Sequence, residues 1–300
     1  MYTCHTSLII EVFVEFLDKY SRFIPLNLIS YILGWVVSLE APAPISSMLN
    51  RAFVFLFSID MSEAEKALSE YKTIQDVFTR KLKEGARDIE SSVVSPADGT
   101  LSQSAKANND TAVQAKGLTY SLKTLVYGEN SLGKSDLGGY TTVYLAPHNY
   151  HRVHSPVSGE LVGMRYIPGE LWPVNQPCVR WMPNIFVRNE RLIFDIKTES
   201  GAMVHAVMVG ALNVGKIHTD FIPDFYTNSL KYPKHGIVEE LSLANSIKIE
   251  AGSELGTFML GSTVVLAYDE QFVKENSMVE FSGARSIKMG ESILNNTKEG

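Results

Sequence analysis

Three segments of this chain carry residue types that together could perform nucleophilic catalysis. Asp98 comes first, the histidines His148, His151 and His154 follow at intervals of three residues, and Ser262 lies near the C-terminus. A serine becomes a nucleophile when a histidine removes its proton and an acid orients that histidine. The chain therefore offers one complete set of these groups, in the order acid, base, nucleophile.

Each of these residues also has a simpler interpretation. Asp98 precedes Gly99, and an Asp-Gly pair is typical of a turn. The three histidines would suggest a metal site if they shared one helix face, but Pro147 and Pro156 bracket the segment and indicate loop or strand, and no acidic ligand lies nearby in sequence. A metal site is therefore not predicted. Ser262 could be the ordinary first residue of a strand.

The residues around Ser262 argue against one common class of serine enzyme. The nucleophile elbow of α/β-hydrolases has glycine two residues before and two residues after the serine. Leu260 and Val264 occupy those positions here. Another type of Ser-His-Asp hydrolase, or a self-cleaving protease that keeps a free Ser262, remains an alternative.

Taken together, the segments resemble the phosphatidylserine decarboxylase family, in its pyruvoyl-dependent prokaryotic form. The resemblance rests on Pro96–Gly99, Tyr150–His154 and Leu260–Thr263, and it extends over about residues 20–290. Three further segments also look like parts of the family: Gln114–Gly117, Pro168–Leu171 and Phe186–Arg191. A non-catalytic scaffold of the same fold would not need the acid, the base and the serine together.

The resemblance implies that the chain cleaves itself between Gly261 and Ser262. His154, oriented and made more basic by Asp98, would take the proton of Ser262, and the serine oxygen would attack the carbonyl of Gly261. Glycine suits this position because no side chain blocks the attack. Elimination, hydration and loss of ammonia would leave a β chain of residues 1–261 and an α chain that begins with a pyruvoyl group derived from Ser262.

The same resemblance implies what the pyruvoyl group does. It would form a Schiff base with the amine of phosphatidylserine, act as an electron sink while carbon dioxide leaves, and release phosphatidylethanolamine. His151 would position the substrate or deliver a proton to Cα, because an imidazole titrates close to working pH. His148 receives no role.

Residues 7–60 are apolar and predict three helices, Ser7–Tyr20, Ile24–Leu39 and Ser46–Ile59. The second would extend about 24 Å, which is short of the ~30 Å hydrocarbon core of a bilayer. It is therefore either a helix buried in the protein or an interfacial helix that lies in one leaflet. A lipid substrate favours the interfacial interpretation, and the excess of acidic over basic residues in this region implies attachment through apolar area.

The rest of the chain predicts an α+β fold with a mostly antiparallel β core and N-terminal membrane-associating helices. Residues 61–90 read as a charged helical connector, with a short helix beginning at Thr73. Turn signals then separate β-rich runs, among them Thr141–Leu145, Leu192–Ile196, Met203–Val209 and Val264–Tyr268. We therefore expect a helical docking region and connector over residues 1–90 and a catalytic domain over residues 91–300.

Composition narrows the partners and the compartment. The 300 residues are 45% apolar and 20% charged, with a net charge of −6, which indicates a globular protein and argues against nucleic acid as a partner. Two cysteines allow no disulfide framework or cysteine-based zinc site, and the N-terminus lacks the basic opening of a signal peptide. The expected location is the cytoplasmic side of the cell membrane, as a peripheral protein, and a homodimer is implied by the resemblance alone.

Overall fold

The computed structural model describes residues 26–115, 117–129, 131, 133–212, 216–228, 239–241, 243, 245–259 and 262–294. The first predicted helix, Ser7–Tyr20, lies outside these ranges. The second and third predicted helices are present as α1 (Leu26–Val37) and α2 (Ala43–Phe57). The third begins three residues earlier than predicted, because Pro44 occupies the first turn, where a missing backbone N–H costs nothing.

The buried residues of the two helices are polar, and most of their large apolar residues are exposed. Among the residues of α1 only Ser30 is buried, and in α2 only Ser46 and Asn50 are buried. The Asn50 side chain donates to the carbonyl of Tyr71 at 2.8 Å. The interpretation of the second helix as a buried one is therefore wrong. No described helix has both the length and the apolar character needed to span a bilayer.

The connector differs from the prediction because most of it is not helical. Its regular parts are a 3-10 turn, Leu68–Glu70, and a short helix α3, Ile74–Phe78. The predicted helix start at Thr73 is confirmed, since its hydroxyl accepts from the Asp76 N–H at 3.0 Å. Elsewhere the backbone pairs with residues 81–83, as in the bond from the Glu65 N–H to the Lys81 carbonyl. Backbone groups paired in this way cannot form helical hydrogen bonds.

A nine-stranded sheet forms the core of the described residues, and its registered pairs are antiparallel. Its strands are β1 (Gly99–Lys106), β4 (Leu137–Leu145), β6 (Gly159–Ile167), β7 (Arg191–Lys197), β8 (Met203–Val209), β10 (Glu239–Leu241), β11 (Ile247–Ile249), β13 (Ser262–Asp269) and β14 (Phe281–Ile287). From one edge to the other their order is β10-β6-β7-β8-β13-β4-β1-β14, with β11 also paired to β6. The predicted α+β class with an antiparallel core is confirmed, as are the four predicted strands.

Smaller elements cover this sheet. Two further sheets join β5 (Arg152–His154), β12 (Glu254–Phe258) and β9 (Ile217–His218), and β2 (Thr111–Ala115) and β3 (Leu118–Ser121). The remaining described helices are α4 (Leu122–Tyr127), α5 (Gln176–Trp181), α6 (Ile185–Arg188) and α7 (Glu270–Glu275). The central strands β7, β8 and β13 are buried along nearly their whole length, so the sheet offers a rigid support for residues at its ends.

Candidate active site

The register of the sheet brings the segments that carry the three predicted motifs to the same end of the strands. Asp98 immediately precedes β1, β4 ends at Leu145, and β13 begins at Ser262. Because β4 lies between β1 and β13 and runs antiparallel to both, the start of β1, the end of β4 and the start of β13 share the same end of the sheet. The acid, the loop with the histidines and the serine therefore meet although 164 positions separate residues 98 and 262.

The paired residues next to this end of the strands show how close β1, β4 and β13 lie. Thr100 pairs with Tyr144, and Tyr144 pairs with Thr263, so two strand spacings, about 10 Å, separate the first and the last. Gly99 allows the approach, because a Cβ there would lie 2.3 Å from the carbonyl oxygen of Tyr144. The glycine of the Asp-Gly pair thus has a packing role as well as a turn role.

Ser262 is a buried nucleophile candidate with an unsatisfied hydroxyl. It is 1% exposed and lies opposite Leu145. Its Oγ has no hydrogen-bond partner among the described residues. A buried hydroxyl usually has a partner, because leaving it without one costs about 1–3 kcal/mol. The neighbouring Leu260 and Gly261 lie outside the described residues.

His154 is held by two bonds that fix its tautomer. Its Nδ1 donates to the carbonyl of Gly252 at 2.7 Å, and its Nε2 therefore accepts from the Tyr150 hydroxyl at 3.0 Å. Burial lowers the pKa of His154, and the nearby carboxylates of Glu254 and Asp98 offset part of that effect. The imidazole is neutral near pH 7 and can act as a base.

Asp98 does not hydrogen-bond to His154, contrary to the expected orientation of that ring by the acid. Its carboxylate accepts from the Arg87 guanidinium at 3.0 and 2.5 Å and from the backbone N–H of Met289 at 2.8 Å. The His154 backbone nevertheless lies next to this turn, since its N–H donates to the carbonyl of Pro96 at 2.8 Å. Asp98 thus acts on His154 through its charge, and Gly252 and Tyr150 orient the ring.

His151 has one ring nitrogen bonded and one unbonded. The residue is fully buried, and Nδ1 donates to the carbonyl of Asn149 at 2.9 Å, which leaves Nε2 as an acceptor without a partner among the described residues. Phe78 covers one face of the ring, with centroids 3.8 Å apart. Burial and the charge of Arg80 lower the pKa of His151 well below its usual value, so the ring is neutral at pH 7.

A backbone bond ties His151 to the strand that leads to Ser262. The carbonyl of His151 accepts from the N–H of Phe258 at 3.0 Å. Four residues of chain then lead from Phe258 to Ser262, a span of at most about 14 Å. The bond thus places His151 beside the end of β12, a short length of chain from Ser262. Oγ of Ser262 and Nε2 of His151 are both buried and without a partner among the described residues, whereas His148 is exposed.

Three contributors to the site were not predicted. Tyr150 stood within the histidine segment, where an aromatic residue between histidines could have indicated a ring partner. Arg87 and Gly252 give no comparable signal, because each reaches the site through the tertiary fold. Arg87 comes from the connector and also bonds to Glu63 at 2.8 Å, so the connector belongs to the site.

Comparison with known proteins gives one consistent result. The model of the phosphatidylserine decarboxylase family matches residues 74–295. A phosphatidylserine decarboxylase proenzyme of Brevibacillus brevis is 36% identical over 275 residues, which cover 90% of this chain and 92% of the relative. Proenzymes of the same name from Myxococcus xanthus and Dechloromonas aromatica are 37% and 35% identical and cover 92% and 91% of the chain, and 96% and 95% of their own lengths.

Proposed function

The chain belongs to the phosphatidylserine decarboxylase family, and from this membership we infer that it removes carbon dioxide from phosphatidylserine to give phosphatidylethanolamine. The sheet register supports the inference most directly, because it brings the turn that carries Asp98, the end of β4 and Ser262 to one end of the strands. The relatives are named proenzymes, which supports a chain that must be processed before it acts. We propose that Ser262 is the residue processed.

Processing in this proposal is a self-cleavage between Gly261 and Ser262. The Ser262 hydroxyl loses its proton to His154 and attacks the preceding carbonyl carbon, which converts the peptide bond into an ester that elimination then breaks. The Tyr150 hydroxyl occupies Nε2 of His154 at 3.0 Å. Proton transfer from Ser262 therefore needs Tyr150 either to move off Nε2 or to pass the proton on. The products are chains 1–261 and 262–300.

The described residues fit a pyruvoyl group at position 262. The Oγ of Ser262 is buried and has no partner among the described residues, so no described hydrogen bond holds it back from attack. Elimination then carries Oγ away in the new C-terminal carboxylate of chain 1–261, and hydration with loss of ammonia turns Cα of residue 262 into the ketone carbon. The strand bonds of β13 to β4 and β8 hold the chain directly after it. When formed, the group supplies an electrophilic ketone that withdraws electrons from the substrate as the carboxylate leaves.

His151 is suited to move the substrate's proton. Its Nε2 is an unpartnered acceptor on a neutral ring. We propose that Nε2 takes a proton from the substrate's ammonium group, which must become an amine before it can react. The resulting imidazolium then returns this proton to Cα after carbon dioxide has left, so His151 ends neutral, as it began.

A product assay separates this function from the hydrolase alternative. Purified protein is incubated with mixed micelles of phosphatidylserine and a nonionic detergent, and lipid products and released carbon dioxide are measured together. The proposal predicts equal amounts of phosphatidylethanolamine and carbon dioxide. Release of fatty acid or free serine without carbon dioxide would instead identify a Ser-His-Asp hydrolase.

We propose that α1 and α2 dock the protein on the lipid surface. Large apolar side chains on them face outward, including Trp35 at 58%, Phe55 at 87% and Leu56 at 74% exposure. Exposed apolar patches on this scale mark interaction sites, and a lipid substrate makes the bilayer surface the fitting occupant. The apolar surface comprises Leu28, Ile29, Ile32, Leu33, Trp35, Val36, Leu39, Ile45, Met48, Leu49, Phe55 and Leu56.

Polar substitutions at the tip of α2 are expected to weaken docking. In the double variant Phe55→Ser/Leu56→Ser, two side chains lose the gain from leaving water, about 1.5–3 kcal/mol each when fully buried. Partial insertion would still make vesicle binding roughly 30-fold weaker. Flotation with phosphatidylserine/phosphatidylcholine vesicles measures the effect.

The matched control is Val113→Ser/Val162→Ser, which removes two exposed apolar side chains from β2 and β6, outside the apolar surface. This control should float like the unsubstituted protein. Equal flotation of the Phe55/Leu56 variant and the control would contradict docking through α2.

A further inference from the structure

Arg80 is a buried cation that forms no ion pair with any described residue. It is 4% exposed, and the described residues place no carboxylate within ion-pair distance of it. Its Nε has no hydrogen-bond partner among them. An arginine keeps its charge at physiological pH, and a buried charge without a counter-ion costs stability. A functional role would account for a buried charge that lowers the stability of the fold.

The hydrogen bonds of Arg80 go to the loop that carries His151. Nη2 donates to the carbonyls of His148 at 3.2 Å and Asn149 at 3.5 Å, and Nη1 donates to its own turn at Val77. The Asn149 carbonyl is the acceptor for Nδ1 of His151. One carbonyl oxygen thus receives both the guanidinium and the imidazole.

The loop that carries His151 also bonds back to the segment that carries Arg80, so each segment donates a hydrogen bond to the other. Arg152, next to His151, donates through Nε to the carbonyl of Thr79 at 3.0 Å. Phe78, two residues before Arg80, packs against the His151 ring at a tilt of 31°. The short segment 78–80 therefore contacts the His151 ring and the residues on both sides of it in the chain.

We propose that Arg80 is a positioning residue for decarboxylation, whose guanidinium holds the carbonyls of His148 and Asn149 and keeps His151 neutral with Nδ1–H on Asn149 and Nε2 open as an acceptor. This inference rests on the proposed function, because it assigns Arg80 a role through the proton transfer of His151. The guanidinium suits the task, since Nη2 reaches both loop carbonyls while Nη1 bonds to Val77, and its charge disfavours a second proton on the nearby ring.

Few charged groups act on this pair. The charges that act on His151 are those of Arg80 and His148, while α3 contributes the uncharged Phe78 ring and β12 contributes the backbone N–H of Phe258. The groups whose charges act on Arg80 are Asp98, Tyr71, Asp60 and Tyr150. Arg80 is thus the permanent charge that acts on the His151 ring among the described residues, and its removal should be visible in the titration of that ring.

Two substitutions at Arg80 distinguish the effect of its positive charge from the effect of its planar guanidinium geometry. Arg80→Gln removes the charge and keeps a donor, whereas Arg80→Lys keeps the charge and loses the planar fork. The kcat/KM for phosphatidylserine in nonionic micelles is measured from pH 4.5 to 8.5. Because the base must be neutral in the free enzyme, the acid limb of this profile reports the pKa of His151.

The expected results differ for the two variants. Arg80→Gln should move the acid limb to higher pH by about one unit, since a nearby positive charge is lost. Arg80→Lys should leave the limb in place and lower kcat/KM several-fold at all pH values. An unmoved limb in Arg80→Gln, whatever its rate, would reduce Arg80 to a structural residue and overturn the inference. If Arg80→Gln does not fold, unchanged kcat/KM in Arg80→Lys overturns it as well.

Self-cleavage separates this inference from the proposed function. Both variants should yield chains 1–261 and 262–300, because His154 and Ser262 are untouched, and intact mass shows this directly. If the unsubstituted protein cleaves but releases no carbon dioxide from phosphatidylserine, the proposed function fails and the inference fails with it. If it decarboxylates and the variants match it throughout, only the role of Arg80 is refuted.

Discussion

Replacing Ser262 by alanine is expected to abolish both maturation and activity. Without Oγ no ester can form at position 262, so the chain should remain one piece of 300 residues. Decarboxylation should fall by at least about 10⁴-fold, because the electrophile that carries the reaction is never made. Denaturing gel electrophoresis and phosphatidylethanolamine production measure the two effects on one sample.

A second serine in the same C-terminal chain provides the control. Ser282 lies on the exposed edge strand β14, and its hydroxyl accepts from the Gln103 side chain at 3.0 Å. Ser282→Ala should cleave and decarboxylate normally. A Ser262→Ala protein that still yields two chains would place the cleavage elsewhere, and an uncleaved Ser262→Ala protein with full activity would remove the need for a processed residue.

Replacing His151 by glutamine is expected to leave maturation intact and to remove most of the activity. Glutamine retains a donor for the Asn149 carbonyl but cannot take a proton at the position of Nε2. Loss of a general acid–base typically lowers the rate by about 10²–10⁴-fold. The intact mass should therefore show both chains while the yield of phosphatidylethanolamine falls by this factor.

The corresponding change at the second histidine gives the opposite pattern. His154→Gln removes the proposed base for Ser262, so the chain should stay largely uncleaved. Measuring both variants together tests the division of labour between the two rings. If His151→Gln blocked cleavage, or if His154→Gln cleaved as fast as the unsubstituted protein, the assigned roles would be contradicted.

The strands of the core could be predicted from the sequence because their signal is local. Leu192–Ile196 and Met203–Val209 are continuous β-rich runs between turn residues, and both lie in buried strands. The helical prediction for the connector was wrong because it also relied on local signals alone. Its acidic and apolar spacing resembles a helix, but its backbone hydrogen bonds go to residues 81–83, and no local pattern reveals such a long-range pairing.

In the candidate site, the identities of the residues could be predicted from the sequence, but their hydrogen-bond partners could not. Asp98, His151, His154 and Ser262 could be named from their motifs, since residue types and spacing are properties of the sequence. Their hydrogen bonds could not, because the Asp98 carboxylate is claimed by Arg87 and a backbone N–H of residue 289. Which partner a buried polar group finds depends on how distant segments pack.

The orientation of α1 is a further lesson about apolar helices. A helix that is apolar nearly all round was compatible with burial in the protein or with a place at an interface. The structure attaches it through Asn27, whose side chain donates to the carbonyl of Gly169 at 3.1 Å, and leaves Leu28 and Trp35 exposed. The side of α1 that faces the rest of the protein is therefore marked by its few polar residues rather than by its many apolar ones.

The intact mass of the purified protein under denaturing conditions shows whether Ser262 has been processed. Self-cleavage predicts two chains, residues 1–261 and 262–300, with the shorter one lighter than a serine-headed peptide by one ammonia. It also predicts that hydroxylamine modifies the shorter chain at its first residue. A single uncut chain from a folded preparation that decarboxylates phosphatidylserine, or a short chain that begins with an intact serine, would contradict it.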